Sequence, residues 1–78
     1  PNPFNNRSSI KYNLKESSEI DLALFDLTGR RVLDLVSGRK KIGQYSITIE
    51  GSSLSSGMYI VRLQAGEQIS KRKVTLVK

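Results

Sequence analysis

LSSGMYIVRLQAGEQISKRKVTLVK, residues 54–78, decides how the chain folds. Tyr59, Val61 and Leu63 alternate with Ile60, Arg62 and Gln64, a period of two that suits a half-buried antiparallel strand and not a helix. Val74 and Leu76 carry the same alternation near the end, and Ala65-Gly66-Glu67 joins the two halves. Glycine at the first central position of a two-residue turn tolerates positive φ, so Gly66-Glu67 predicts a type II′ hairpin. Ile69 falls on the opposite parity from Val74 and Leu76, which predicts a bulge or a sheet crossing between them. The last residues of a small domain are commonly a frayed tail. Here they have strand composition and hold the cluster Lys71-Arg72-Lys73.

The same period extends back through the chain. Ile10, Tyr12 and Leu14 alternate with Lys11, Asn13 and Lys15; Ile20, Leu22 and Leu24 alternate with Asp21 and Ala23. Tyr45, Ile47 and Ile49 alternate with Ser46, Thr48 and Glu50, and residues 32–36 form another short apolar run. Asp26-Leu27-Thr28-Gly29 has Asp and Gly at the first and fourth positions of a type I turn, which predicts a hairpin. Ser37-Gly38 and Ile42-Gly43 bracket what reads as a basic loop, Arg39-Lys40-Lys41. Residues 51–57 read as a longer connection with Leu54 tucked beneath it. Pro1-Asn2-Pro3 reads as extended, because both prolines fix φ and Asn2 precedes one of them. Residues 1–4 are thus expected to be the end of a linker, with Phe4 as the first core anchor, and residues 5–78 the domain. Six or seven short strands with turns at regular spacing predict an all-β, antiparallel two-sheet β-sandwich.

Composition removes most chemistry. Seventy-eight residues make one small domain whose stability is modest, roughly 4–12 kcal/mol. The chain has no Cys and no His, which excludes Cys-His and Ser-His-Asp catalysis, thiolate or imidazole zinc sites and a histidine switch. Asp21, Asp26, Asp34, Glu16, Glu19, Glu50 and Glu67 form no recognisable catalytic pair, so the domain reads as no enzyme, with no cofactor. Thirteen Lys and Arg against seven Asp and Glu give +6. The positive residues are scattered, apart from short clusters at 39–41 and 71–73, and fit solubility better than nucleic-acid binding. No apolar run approaches the length that spans a bilayer, so stable membrane insertion is not expected. The chain begins with proline, which reads as a processed product or a piece of something larger. Asn6-Arg7-Ser8 matches a glycosylation tripeptide, a pattern too common by chance to carry weight.

Two surfaces remain. Small β-sandwiches often bind sugars, and an accessory carbohydrate-binding or spacer module of an extracellular glycoside hydrolase is the alternative reading. Sugar stacking favours exposed aromatics, but there is no Trp, and Tyr12, Tyr45 and Tyr59 share strand parity with aliphatic residues, which predicts them in the core. The Lys71-Arg72-Lys73 cluster reads on composition alone as a solvated strand face that discourages aggregation. Its functional reading is a recognition edge open to β-augmentation.

From end to end the chain resembles the type A carboxy-terminal sorting domains of the type IX (Por) secretion system. Pro1-Asn2-Pro3-Phe4 is like that family's opening segment, and residues 20–32 are like its hairpin with an Asp, a Gly-Arg pair and a following Val. Leu54-Ser55-Ser56-Gly57-Met58-Tyr59 is like its L-x-x-G-x-Y block, and residues 71–78 are like its closing basic–aliphatic strand with a terminal lysine. Asn6 stands where many members have proline, and Met58 fills a variable position. A resemblance to the domain of flagellar hook-capping proteins supports the same fold. The resemblance implies an immunoglobulin-like sandwich of about seven strands. It also implies a non-catalytic signal that directs an upstream cargo from the periplasm through the outer-membrane translocon. A sortase-like peptidase then usually removes the domain, leaving cargo at the cell surface or outside the cell. Carried onto this sequence, the signal-bearing positions are Gly57, Tyr59, Lys71, Lys73, Val74 and Lys78. The lysines are the expected translocon contacts. Gly57 is expected to supply unusual backbone geometry, and Tyr59 and Val74 core packing.

Overall fold

The computed structural model describes residues 7–77. Phe4, the Pro1-Asn2-Pro3 opening and Lys78 lie outside the described residues. Six strands follow one another: β1 (Arg7–Leu14), β2 (Ser18–Phe25), β3 (Arg31–Lys40), β4 (Gly43–Glu50), β5 (Gly57–Ala65) and β6 (Gln68–Leu76). β1 and β4 form a two-stranded sheet, and the other four form a second sheet in the order β3-β2-β5-β6. Every pairing is antiparallel. This all-β arrangement is consistent with an immunoglobulin-like sandwich, with six strands among the described residues against the expected seven or so.

The core lies between the sheets because alternation sends one side chain in two inward. Ile10 and Ile49 meet Leu22, Leu24, Tyr59, Val61 and Leu76 in one buried cluster. Strands in a sheet are about 4.8 Å apart, so two strands cover roughly half the width of four. Val32, Leu33, Leu35, Val36, Leu63 and Val74 pack around the cluster and stay half-buried. Leu54 is half-buried against the same cluster, under the 51–56 connection.

Both predicted hairpins form. The Gly29 amide donates to the Asp26 carbonyl at 3.0 Å, and the Asp26 amide donates to the Arg30 carbonyl at 2.9 Å. Gly66 has φ of +61°, and no described residue other than glycine has positive φ, the signature of type II′. The Gly66 amide also donates to the Glu19 carbonyl at 3.0 Å, tying this turn to the start of β2.

Two expectations need correction. β6 pairs with β5 in unbroken register from Gln68 to Leu76, with no bulge or crossing after Ile69. Ile69 simply faces out of the sheet, opposite Gln64, and is 53% exposed. The bulges lie in β3 instead, where Val32 and Leu35 are extra residues against β2. They explain how a run of apolar residues with one interruption, Asp34, fits a strand of period two. The basic loop is also shorter than expected. Arg39 and Lys40 belong to β3, opposite Glu19 and Ser18, because the strand continues through Gly38 to the two-residue connection at 41–42.

Candidate recognition surface

The β5–β6 ladder sorts the expected signal residues onto two faces. Gly57 stands opposite Leu76, and Tyr59 opposite Val74. Tyr59 and Leu76 are buried in the core cluster, and Val74 packs against it. Lys71 and Lys73 point the other way, opposite Arg62 and Ile60, and both are exposed. Two residues apart on a strand, they stand about 7 Å from each other on one face. Ile69 and Thr75 share that face.

The basic triplet is therefore split by alternation. Arg72 has inward parity opposite Val61, but its side chain leaves over the edge of the sheet. Its Nη2 donates to the Lys11 carbonyl of β1 at 3.5 Å, a long bond joining one sheet to the other. β6 is an edge strand, with no strand on its other side among the described residues. Between it and β1 runs a cleft of about 290 Å³ whose floor includes Ile10, Leu22, Val61 and Leu63.

Tyr59 is positioned by a local device that occurs twice. Gly57 opens β5 with φ of +151°, and the Tyr59 hydroxyl donates to the Ser55 carbonyl at 2.6 Å. Gly43 opens β4 with φ of +151°, and the Tyr45 hydroxyl donates to the Lys41 carbonyl at 2.6 Å. Each is a Gly-x-Tyr start in which the tyrosine reaches back four residues, as in a tyrosine corner. The unusual φ turns the chain into the strand, and the hydroxyl fastens the preceding loop to it. The sequence carries the signal twice, at 43–45 and 57–59, and only the second stood out in reading it.

The outward face of the four-stranded sheet carries a charge network that sequence reasoning missed. Asp21 on β2 accepts from both Arg31 guanidinium nitrogens, Nη2 to Oδ2 at 2.7 Å and Nη1 to Oδ1 at 3.2 Å. Arg31 Nη1 also meets Asp34 Oδ1 at 2.9 Å, and Arg62 Nη2 lies 3.8 Å from Asp21 Oδ2. The guanidinium carbons of Arg31 and Arg62 sit 5.3 and 4.6 Å from the centre of the Phe25 ring. The buried Arg62 Nε has no hydrogen-bond partner, so its anchorage comes from the ring and from Asp21. Hydrogen bonds from Arg31 hold the Asp21 carboxyl below the usual range, and Asp21 and Asp34 raise the Arg31 guanidinium. This network locks β3, β2 and β5 together beside the Lys71–Lys73 face.

The family model of the secretion system C-terminal sorting domain matches residues 1–78. The chain belongs to that family. No curated protein and no solved structure matches the chain. A type IX sorting domain is a carboxy-terminal signal for secretion to the cell surface or beyond, attached to an upstream cargo and read by the secretion machinery. Such domains are non-catalytic in general. Among the described residues of this sorting domain, no group of three or more acidic side chains could hold a metal ion.

In this sorting domain Tyr12 and Tyr45 stack on each other across the β1–β4 pair, with centroids 5.2 Å apart and rings 16° from parallel. Each ring covers one face of the other, and the Tyr45 hydroxyl is committed to Lys41. Burial, and secondarily Tyr45, pushes the Tyr12 hydroxyl above its ordinary pKa. Both rings are half-buried at one margin of the core.

Proposed function

We propose that this domain directs an upstream cargo across the outer membrane through the type IX translocon, with Lys71 and Lys73 as the residues the translocon reads. The observation that carries this reading is the placement of the two lysines. They are exposed together on the outward face of an edge strand, while the residues opposite Tyr59 and Gly57 build the core behind them. Recognition and folding thus use opposite faces of one ladder. Lys78 extends the same reading as a third contact. The sequence of events that fits is periplasmic transit, passage through the translocon, and removal of the domain by a sortase-like peptidase with cargo left at the cell surface.

The test is a secretion-competent reporter fused to residues 1–78 in a host with a type IX system. Replacing both lysines (Lys71→Gln with Lys73→Gln) is expected to abolish or strongly reduce export while circular dichroism remains that of the folded domain. Undiminished export of the doubly substituted, folded fusion would reject the lysines as the signal. The carbohydrate-binding reading gains no support from Tyr12 and Tyr45, which pair with each other.

A further inference from the structure

We infer that the free edge of β6 captures an extended segment of another protein as a fifth strand, and that this segment alternates acidic with apolar residues. The inference names the mode of recognition within the sorting reading and rests on it. Four observations carry it.

First, β6 is long and regular: nine residues in unbroken register with β5, and no strand beyond it among the described residues. Its counterpart at the opposite edge of the sheet, β3, is bulged twice, which twists an edge away from pairing. Of the two edges of this sheet, β6 is the one whose backbone is laid out to accept a ladder.

Second, the outward face of β6 selects for charge. A strand added beside β6 places residues i and i+2 next to Lys71 and Lys73, where carboxylates are favoured and cations disfavoured. Third, the inward face selects for apolar groups. Residue i+1 of the added strand points toward the cleft between β6 and β1, where it displaces the long Arg72–Lys11 bond and meets a floor that includes Ile10, Leu22, Val61 and Leu63. A neighbouring depression of about 440 Å³ continues that seam past Ile10 and Val74. An aliphatic side chain there covers Leu63 and Val74, the apolar residues of this seam that stay half-buried over buried Ile10, Leu22 and Val61.

Fourth, the charges disfavour a second copy as the occupant. Pairing β6 with β6 of another molecule about its centre at Arg72 sets Lys71, Arg72 and Lys73 against one another, and like charges directly opposite destabilise a ladder. The edge is protected against itself and open to an acidic strand, which is how a signal avoids aggregating before it meets its reader.

The experiment uses the 78-residue chain and a synthetic Glu-Val-Glu-Val-Glu-Val-Glu amide, with a Glu-Glu-Glu-Glu-Val-Val-Val amide as control. The alternating peptide is expected to bind at least about tenfold more tightly than the block peptide. On binding, alternate backbone amides of β6 between Ile69 and Thr75, the set not bonded to β5, become protected from hydrogen exchange. Lys71→Glu with Lys73→Glu weakens the acidic peptide about tenfold or more, and a Lys-Val-Lys-Val-Lys-Val-Lys amide then binds in its place. No binding, equal affinity for the two acidic peptides, or protection confined to β3 or to the β1–β4 pair overturns the inference. Self-association of the chain through β6 in sedimentation also overturns it, by making a second copy the occupant. If export requires the lysines but the peptide leaves β6 unprotected, strand addition fails and the sorting reading stands. If β6 is protected but export ignores the lysines, strand addition stands and the lysines are not the sorting signal.

Discussion

At the scale of single residues, the two Gly-x-Tyr starts show how one hydroxyl can fix where a strand begins. The Tyr59 hydroxyl bond is part-buried, whereas the Tyr45 bond is exposed. Water replaces a lost exposed bond more easily than a lost buried one. Tyr59→Phe is therefore expected to cost about 1 kcal/mol, and Tyr45→Phe less, in urea unfolding at neutral pH. Equal costs would show that burial does not govern these bonds. Gly57→Ala separates backbone from packing at the same corner. Nothing lies within 4 Å of an added Cβ, so no clash contributes. At φ of +151° the cost comes from the backbone alone, roughly 1–3 kcal/mol. A neutral Gly57→Ala would show that the corner relaxes and does not require glycine.

At the scale of the element, β6 sorts alternate residues onto a packed face and an exposed one. Val74 and Leu76 hold it to the core, and Lys71 and Lys73 stand clear of it. Leu76 is 2% exposed, so Leu76→Ala is expected to cost about 2–5 kcal/mol, a large part of a stability of roughly 4–12 kcal/mol. Deleting residues 74–78 removes Leu76 and Val74 together and is expected to unfold the domain. Loss of export by that deletion then reports on folding and not on the signal. Replacing Lys71 and Lys73 by Gln is expected to move stability by no more than about 0.5 kcal/mol. A larger shift in the urea midpoint would mean that the lysines are part of the fold. Most strands were legible in the sequence because the period of two survives in them, β3 only as a short apolar run, and so were the hairpins at Asp26 and Gly66. The bulges were not. Alternation at Ile69 gave the same parity signal as a bulge, when its cause was one apolar residue on the solvent face. In β3 the true bulges hid inside an apolar run, where an extra residue changes no polarity.

At the scale of the whole molecule, strand order decides which charges meet, and order is what periodicity does not contain. Asp21, Arg31 and Arg62 come together only because β5 docks beside β2, across a large gap in sequence. The exposure of Lys71 and Lys73 was legible from composition, which read them as a solvated strand face, whereas this network was not legible at all. Its consequence is a pH dependence with a definite place. Asp21, held by Arg31, and Asp26, held first by the Thr28 hydroxyl and then by the Arg30 amide, both have carboxyls depressed below their ordinary values. A depressed carboxyl contributes its full stabilisation above its unfolded pKa, about 3.9, and loses it as pH falls through the lower folded value. As acid removes negative charge, thirteen Lys and Arg lose the seven Asp and Glu that offset them, so the compact state repels itself. The chain has no histidine, the side chain whose ordinary pKa falls between pH 5 and 7. The urea midpoint is therefore expected to stay level from pH 7 to 5 and to fall below about pH 4. Salt separates the two causes, because self-repulsion is screened within about 10 Å at 0.1 M, while close pairs such as Arg31–Asp21 are screened less. Asp21→Asn is expected to lower the midpoint at pH 7 and to flatten its fall in acid at high salt. A fall centred near pH 6, or an acid limb that Asp21→Asn leaves unchanged, would show that this network does not hold the sheet together.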